Sequence, residues 1–441
     1  MAKYEIKDGV GIIPEGTTYV KDEAFKNCKE LKSVVIPNSV KGIGAKSYYG
    51  YPGSNKVYLR YEGNCFEGCI NLTNIRIPNT VSYIGYRAFY GCTSLTNIVI
   101  PDSVTRIDYE AFCGCTSLTN IVIPDSVTSI AKNAFEKTPW WNNQLDGLVY
   151  ANKVLLGYKG RIPENPFIAI KYGTVSISGR AFSGCTGLTN IVIPNSVTSI
   201  GGSAFSGCTG LTNIVIPNSV ADIGPGAFRD CINLQCIEIP SSVSLGVRDD
   251  TKDSGYYPVF QGCANLKYVK LCPGIKYIGF RLFQGCSSIE TLKIPSAVSF
   301  IGVDAFEGCT GLKSIFIPEG VEEIDFTAFA NCTALEKVVL PRSLKNLKKT
   351  AFKGCFALKE IIVPAANEKY IMKQLPSELH PVVKITTETL VDPTPEPVIK
   401  IPEELRKAIA EAEAQYKVDV ARTFLTSLPS KIIVFIKNLL K

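Results

Sequence analysis

Apolar residues recur along this chain with a spacing that fits neither an amphipathic helix nor a simple alternating strand. The stretch from Leu72 reads L-T-N-I-R-I-P-N-T-V-S-Y-I-G-Y-R-A-F-Y-G-C. Leu72, Ile75 and Ile77 are spaced as a short strand with one face inward, and Pro78, which has no N–H for a ladder, ends it. Pro-Asn-Thr here, and Pro-Asn/Asp-Ser in sister units, turns the chain. Val81 and Ile84 point back inside, and Ala88-Phe89 is read as a helical turn with the ring buried. The same order of positions returns again and again.

The period is legible in the cysteines. Twelve of the 16 follow a phenylalanine by three: Cys28, Cys69, Cys92, Cys115, Cys185, Cys208, Cys231, Cys263, Cys286, Cys309, Cys332 and Cys355. Within the runs 69→92→115, 185→208→231 and 263→286→309→332→355 the interval is 23 residues. A fixed period of about 20–50 residues signals a repeat architecture. The residue before each of these cysteines is Gly, or Asn27, Asp230 or Asn331. Those types tolerate positive φ best, so the position is read as a left-handed cap.

With this pattern the chain resembles the BspA-like (treponemal) class of leucine-rich repeat, whose unit runs C-x-x-L-x-x-I-x-I-P-x-x-V-x-x-I-x-x-x-A-F. The likeness spans residues 9 to 363, with thirteen Ala-Phe-type units and a degenerate fourteenth around Leu148 to Lys171. It implies an α/β solenoid, a right-handed superhelix of about 14 coils with a parallel β-sheet on its concave face. The expected organisation is a solenoid over residues 1–365, with insertions near 45–64, 138–170 and 247–258. A cap and proline-rich linker follow over 366–402, then an amphipathic helical segment over 403–441.

The spacing argues that the ladder cysteines are packing residues rather than disulfides or metal ligands. Parallel side chains on neighbouring coils do not face each other as a bridge requires. Four thiols lie off the ladder (Cys65, Cys113, Cys236 and Cys272), and of these Cys236 is expected on the outward face. The chain holds one histidine, His380, which removes most catalytic triads and imidazole metal sites. No nucleophile–base or acid–base pair stands out, and neither a cofactor nor a metal is expected. Net charge is +7, from 47 basic and 40 acidic residues, without a basic run suited to nucleic acid. No apolar run reaches the 18 or so residues needed to span a bilayer. The first residues, MAKYEIKDGVGIIPEG, lack the apolar core of a secretory signal, which favours an unexported chain, whereas the resemblance implies a cell-surface or secreted one.

The outward positions flank the middle isoleucine. They are monotonous at first: L-T-N-I-V-I-P recurs verbatim at 95–101, 118–124, 188–194 and 211–217. From Cys236 onward they vary, through Glu238, Tyr268, Lys270, Thr291, Lys293, Ser314 and Phe316. Two insertions carry tyrosines, which offer large contact area at small entropy cost. The candidate partner-binding residues are therefore Tyr48, Tyr49, Tyr51, Tyr256, Tyr257, Tyr268, Lys270, Lys293 and Phe316. Trp140 and Trp141, the only tryptophans, are read as packing residues. Residues 391–402, VDPTPEPVIKIP, read as an extended linker. Beyond it Leu405, Ile409, Ala412, Tyr416, Val420 and Phe424 form one helical stripe, and a second short helix is expected over Lys431 to Lys441. Three roles are open to this tail: capping the last coil, self-association, or contact with a membrane interface. The expected function is a non-enzymatic macromolecule-binding or adhesion scaffold whose partner is a protein or glycan on a cell surface or matrix. The rival is an intracellular structural protein that self-associates through residues 403–441.

Overall fold

In the computed structural model, residues 4–44, 63–131, 133–163, 167–243, 258–397, 399, 401–411 and 414–415 are described, together with the backbone of 46–49 and 58–61. Short strands stack into a solenoid of about 15 turns at a spacing near 23 residues. On one side Asn97–Val99 pairs in parallel with Asn120–Val122, each residue opposite its equivalent one repeat later. On a second side Tyr83–Ile84, Arg106–Ile107 and Ser129–Ile130 pair the same way. The ladder continues beyond the last Ala-Phe unit through Glu360–Pro364 and Val383–Thr386, which takes it past the fourteen coils expected.

The third side departs from expectation. The Ala-Phe segment is a run of tight turns, and among the described residues helix is confined to a few short pieces. The reason lies in its hydrogen bonds. The Phe89 N–H donates to the Ala111 carbonyl at 2.8 Å and the Gly91 N–H to the Cys113 carbonyl at 2.9 Å, both one coil further on. Amides committed to the next coil cannot wind a helix within their own.

Two residues per coil take the left-handed conformation. One is the expected position before the cysteine, as at Gly91 (φ 68°) and Asn27 (φ 60°). The other lies two residues before the phenylalanine and is occupied by bulkier types: Arg87 (φ 47°), Glu110 (φ 54°), Ser203 (φ 55°) and Thr327 (φ 54°). Side chains there meet across coils, with Arg87 Nε 2.7 Å from Glu110 and Arg281 Nε 2.9 Å from Asp304.

Inside, the phenylalanines form two stacks. Phe25, Phe66, Phe89, Phe112 and Phe135 lie with ring centroids 5.1–5.6 Å apart, their planes within 8° of parallel. Phe182 to Phe352 continue the same way over eight rings. The break falls at the irregular unit. Thr138 caps the single helical turn Pro139–Asn142 by accepting from the Trp141 N–H, and Trp140 meets Phe135 edge-on at 5.1 Å. Trp140 and Trp141 both pack against the core, as expected of them. The antiparallel hairpin Gly147–Ala151/Val154–Lys159 follows. Two buried hydroxyls then reach back over it: Ser176 Oγ donates to the Thr128 carbonyl and Ser178 Oγ to that of Ile130, each at 2.7 Å.

The ladder thiols are buried and hydrogen-bonded. Cys92, Cys115, Cys231, Cys286 and Cys309 each donate to the carbonyl of the phenylalanine one coil back, at 3.0–3.2 Å. All 16 cysteines are free. A thiol here fills a methyl-sized space and also satisfies a carbonyl lone pair that the turn leaves over. The off-ladder thiols depart from expectation, since Cys65, Cys113 and Cys236 are buried and Cys272 is half-buried.

Both ends are closed. Glu5–Lys7 pairs antiparallel with Val10–Ile12, and Tyr4 covers Phe25 with ring centroids 5.7 Å apart. At the far end the helix Glu368–Gln374 buries Ile371, and Leu375 beside it is also buried.

Three outcomes follow for the ladder. Phe205→Ala should cost about 3–5 kcal/mol through the cavity it leaves, with hydrogen exchange rising first in the two adjoining coils. In native protein, thiol titration should find Cys185 and Cys272 first, the two that are not fully buried, and the remainder only on unfolding. Burial pushes the Cys309 thiol from 9.0 up to about 12, so the folded state holds a proton that the unfolded chain releases. Stability is therefore undiminished below about pH 9 and falls as pH rises from 9 towards 12, by up to about 1.4 kcal/mol per pH unit for each such thiol. Denaturant midpoints at pH 7, 9 and 10.5 for wild type and Cys309→Ala check this: the alanine variant should lose less between pH 9 and 10.5.

Candidate partner-binding face

The N-I-V strands leave one row of side chains outside the coil. Parallel hydrogen bonding to a neighbouring strand, as between Asn97–Val99 and Asn120–Val122, holds the row on a firm base. Asn120 Nδ2 donates to the Asn97 amide oxygen at 3.1 Å, the start of an amide ladder. Beside it Val99 and Val122 are 65% and 59% exposed. Val192 occupies the same place in an identical heptapeptide, yet it is 2% exposed.

The carboxyl-terminal segment covers part of the second half, beginning at Val215. After Val383–Thr386 the chain turns back over the sheet. Leu390 lies in a cleft with Phe316, Val339 and Pro341. Glu396 Oε1 pairs with Lys293 Nζ at 2.8 Å, and this hydrogen-bonded ion pair raises the lysine's pKa. Ile399, Ile401 and Leu405 share a second cleft with Asn213, Val215, Cys236 and Glu238, and Leu405 is 1% exposed. Cys236 is hence not outward-facing in the open: it is buried beside this segment and donates to Asn213 Oδ1 at 3.1 Å. The helix that begins at 403 extends over 403–411 among the described residues. The last coil is closed instead by residues 365–386.

The candidate residues are thus dispersed. Tyr268 stands 46% exposed on the sheet, with the Lys267 ammonium 5.7 Å from its ring centroid. One coil back, Glu238 accepts from Lys270 Nζ at 2.6 Å, which raises the lysine's pKa. Lys293 and Phe316 lie under the carboxyl-terminal segment. Tyr48 and Tyr49 fall on the antiparallel hairpin Lys46–Tyr49/Tyr58–Tyr61, which leaves the solenoid before the coil of Asn64. Tyr51, Tyr256 and Tyr257 lie outside the described residues, as do the insertion at 247–257 and the second helix expected over 431–441. Nothing in the sequence pattern marked Glu396 or Leu405 as partners of the sheet.

Inter-coil ion pairs run along the second half: Lys313–Glu290, Lys345–Glu322 and Lys359–Glu336, at 2.8–3.0 Å. All are well exposed, so each is worth little on its own. Among the described residues no three His, Cys, Asp or Glu side chains gather as a metal site, and no helix is long and apolar enough to cross a membrane.

Stacked 23-residue coils, a parallel sheet with a free outer row and a phenylalanine spine define a leucine-rich repeat solenoid. The chain belongs to the BspA type leucine rich repeat family, whose sequence profile matches residues 11–62, 61–143, 166–246 and 256–374. Among solved structures it is similar to a leucine-rich repeat protein from Bacteroides ovatus, at 30% identity over 85% of this chain and 82% of that one, with a TM-score of 0.43. It is also similar to a leucine rich cell surface protein from Faecalibacterium prausnitzii, at 27% identity over 81% and 92% of the two chains, TM-score 0.35. A leucine rich repeat protein of T. pallidum shares 27% identity over 60% of this chain and 87% of its own, TM-score 0.21. No curated protein matches the chain.

The segment's attachment is checked by alkylation of Cys236. Leu405→Asp should expose that thiol and speed its modification at least tenfold, while Cys286, deep in the ladder, stays protected.

Proposed function

We propose that this protein is a non-enzymatic scaffold that binds another macromolecule, a protein or glycan of a cell surface or matrix, and so serves adhesion. The observation that carries this reading is Tyr268: a large aromatic ring held nearly half exposed on a rigid sheet, beside the Lys270–Glu238 pair. Such a ring adds little to the core and is already ordered, so a partner covering it gains area at small entropic cost. The match to a leucine rich cell surface protein supports the surface location. No group of residues with acid–base or nucleophilic geometry competes with the binding reading among the described residues.

Self-association through residues 403–441 is the second reading. It is favoured by one feature, the apolar stripe of the helix that starts at 403, and it predicts an oligomer that truncation of the tail dissolves.

The test is binding of the full chain to cells or matrix preparations. Tyr268→Ala should weaken binding by at least about 1 kcal/mol with the melting temperature unchanged. Asn97→Ala and Asn120→Ala should leave it unaltered. The reverse pattern would assign the partner to the monotonous rows and remove this reading.

A further inference from the structure

The heptapeptide L-T-N-I-V-I-P occurs four times with one sequence and two fates. Its valine is bare at Val99 and Val122, whereas Val215 shares a cleft with Ile399, Ile401 and Leu405, so the difference at Val215 comes from what lies over the sheet and not from the strand. What lies there is an extended segment of this chain, with a definite chemical order. Leu390 comes first, against Phe316 and Val339; Glu396 follows, on Lys293; Ile399, Ile401 and Leu405 come last, against Val215 and Cys236. The face beneath has the matching order, apolar, then basic at Lys293, then apolar.

The fit is loose in two respects. Cavities of about 270 Å³ and 190 Å³ remain between segment and sheet. The carboxylate of the one ion pair is mostly in solvent, with a Glu396 side chain 69% exposed, and such pairs hold weakly. Pro393, Pro395, Pro397 and Pro402 keep the segment extended and remove N–H groups that could have anchored it. It stays in place largely because it is tethered, at an effective concentration on the order of millimolar.

We propose that residues 388–405 are a displaceable internal occupant of a peptide-binding face, and that its external partner is an extended protein segment with the same aliphatic–acid–aliphatic order. This rests on the protein-binding reading above and names the chemistry of the partner. Binding from outside competes with the tether, so the free chain holds its second-half face closed until a matching segment displaces its own.

A fluorescently labelled synthetic peptide of residues 387–411 serves as the probe, with full-length chains as receptor and anisotropy as readout. Glu396→Lys and Leu405→Asp, made separately in the receptor, should each bind the peptide at least tenfold more tightly than wild type does. In the Leu405→Asp receptor, adding Lys293→Glu should abolish that gain, and a peptide with lysine at 396 should restore it. Bound peptide should also slow alkylation of Cys236. Equal affinity for wild-type and variant receptors would overturn the proposal. So would loss of binding on Val99→Asp with Val122→Asp, which would move the site to the bare half. A concentration-dependent dimer of wild type that Leu405→Asp dissolves would give the face to a second copy and overturn it too. If the peptide fails while Tyr268→Ala still weakens binding to cells, the displacement idea falls and the scaffold reading stands.

Discussion

The structure depends on one constraint: each coil must present its neighbours with the same cross-section. Strand amides on two sides of a coil, and alternate amides of the Ala-Phe turn on the third, bond to a neighbouring coil. Any change of outline would break three ladders at once. The buried rings obey the same rule, since parallel phenylalanines about 5 Å apart stack only if every coil places its ring at the same height and angle. In most coils the thiol beside the ring takes the remaining lone pair of the phenylalanine carbonyl below. Serine would offer a donor with more desolvation cost, and alanine would offer none. Insertions are tolerated where the chain can leave and return to the same point, as the paired strands Lys46–Tyr49 and Tyr58–Tyr61 show.

Because packing uses only the inward residues, the outward row is free to vary without loss of stability, which is why a binding role attaches to it. The two halves of that row differ in what covers them. The first is bare and carries valine and asparagine in repeated pairs. The second is varied, and the chain lays its own proline-rich segment over much of it. A long solenoid with unequal halves has room for more than one contact, and Tyr268 and Lys293, on adjacent coils, belong to different environments.

Much of the fold was legible in the sequence because periodicity is a local, repeated signal. Phe89, Cys92 and Gly91 declared their roles by recurring every 23 residues, and the burial of Phe205 or Cys286 needed no further information. The second left-handed position escaped notice because Arg87, Glu110 and Thr327 share no residue type. Its occupants are chosen by cross-coil partners, and not by backbone tolerance. The turn at Ala88-Phe89 resembles a helical turn in sequence for a related reason: the Phe89 amide bonds to the next coil, which the local sequence does not reveal. The carboxyl-terminal segment was read as a linker because the pairing of Glu396 with Lys293 joins ordinary residues about a hundred positions apart, with no periodic mark. Long-range contacts made once leave no pattern.

The central claim is that neighbour-to-neighbour continuity of the ring stack sets how the solenoid holds together. The stack is interrupted once, where Trp140 meets Phe135 edge-on and the next parallel ring is Phe182. The hydrophobic core divides at the same place, between Val154 and Leu155. Native-state hydrogen exchange along the whole chain, followed by mass spectrometry as denaturant is raised, measures this directly. The account predicts two cooperative units with distinct opening free energies, one ending near Phe135 and the other beginning near Phe182, the change falling within 139–159. A single free energy shared by all coils, or a boundary at another repeat, would contradict it.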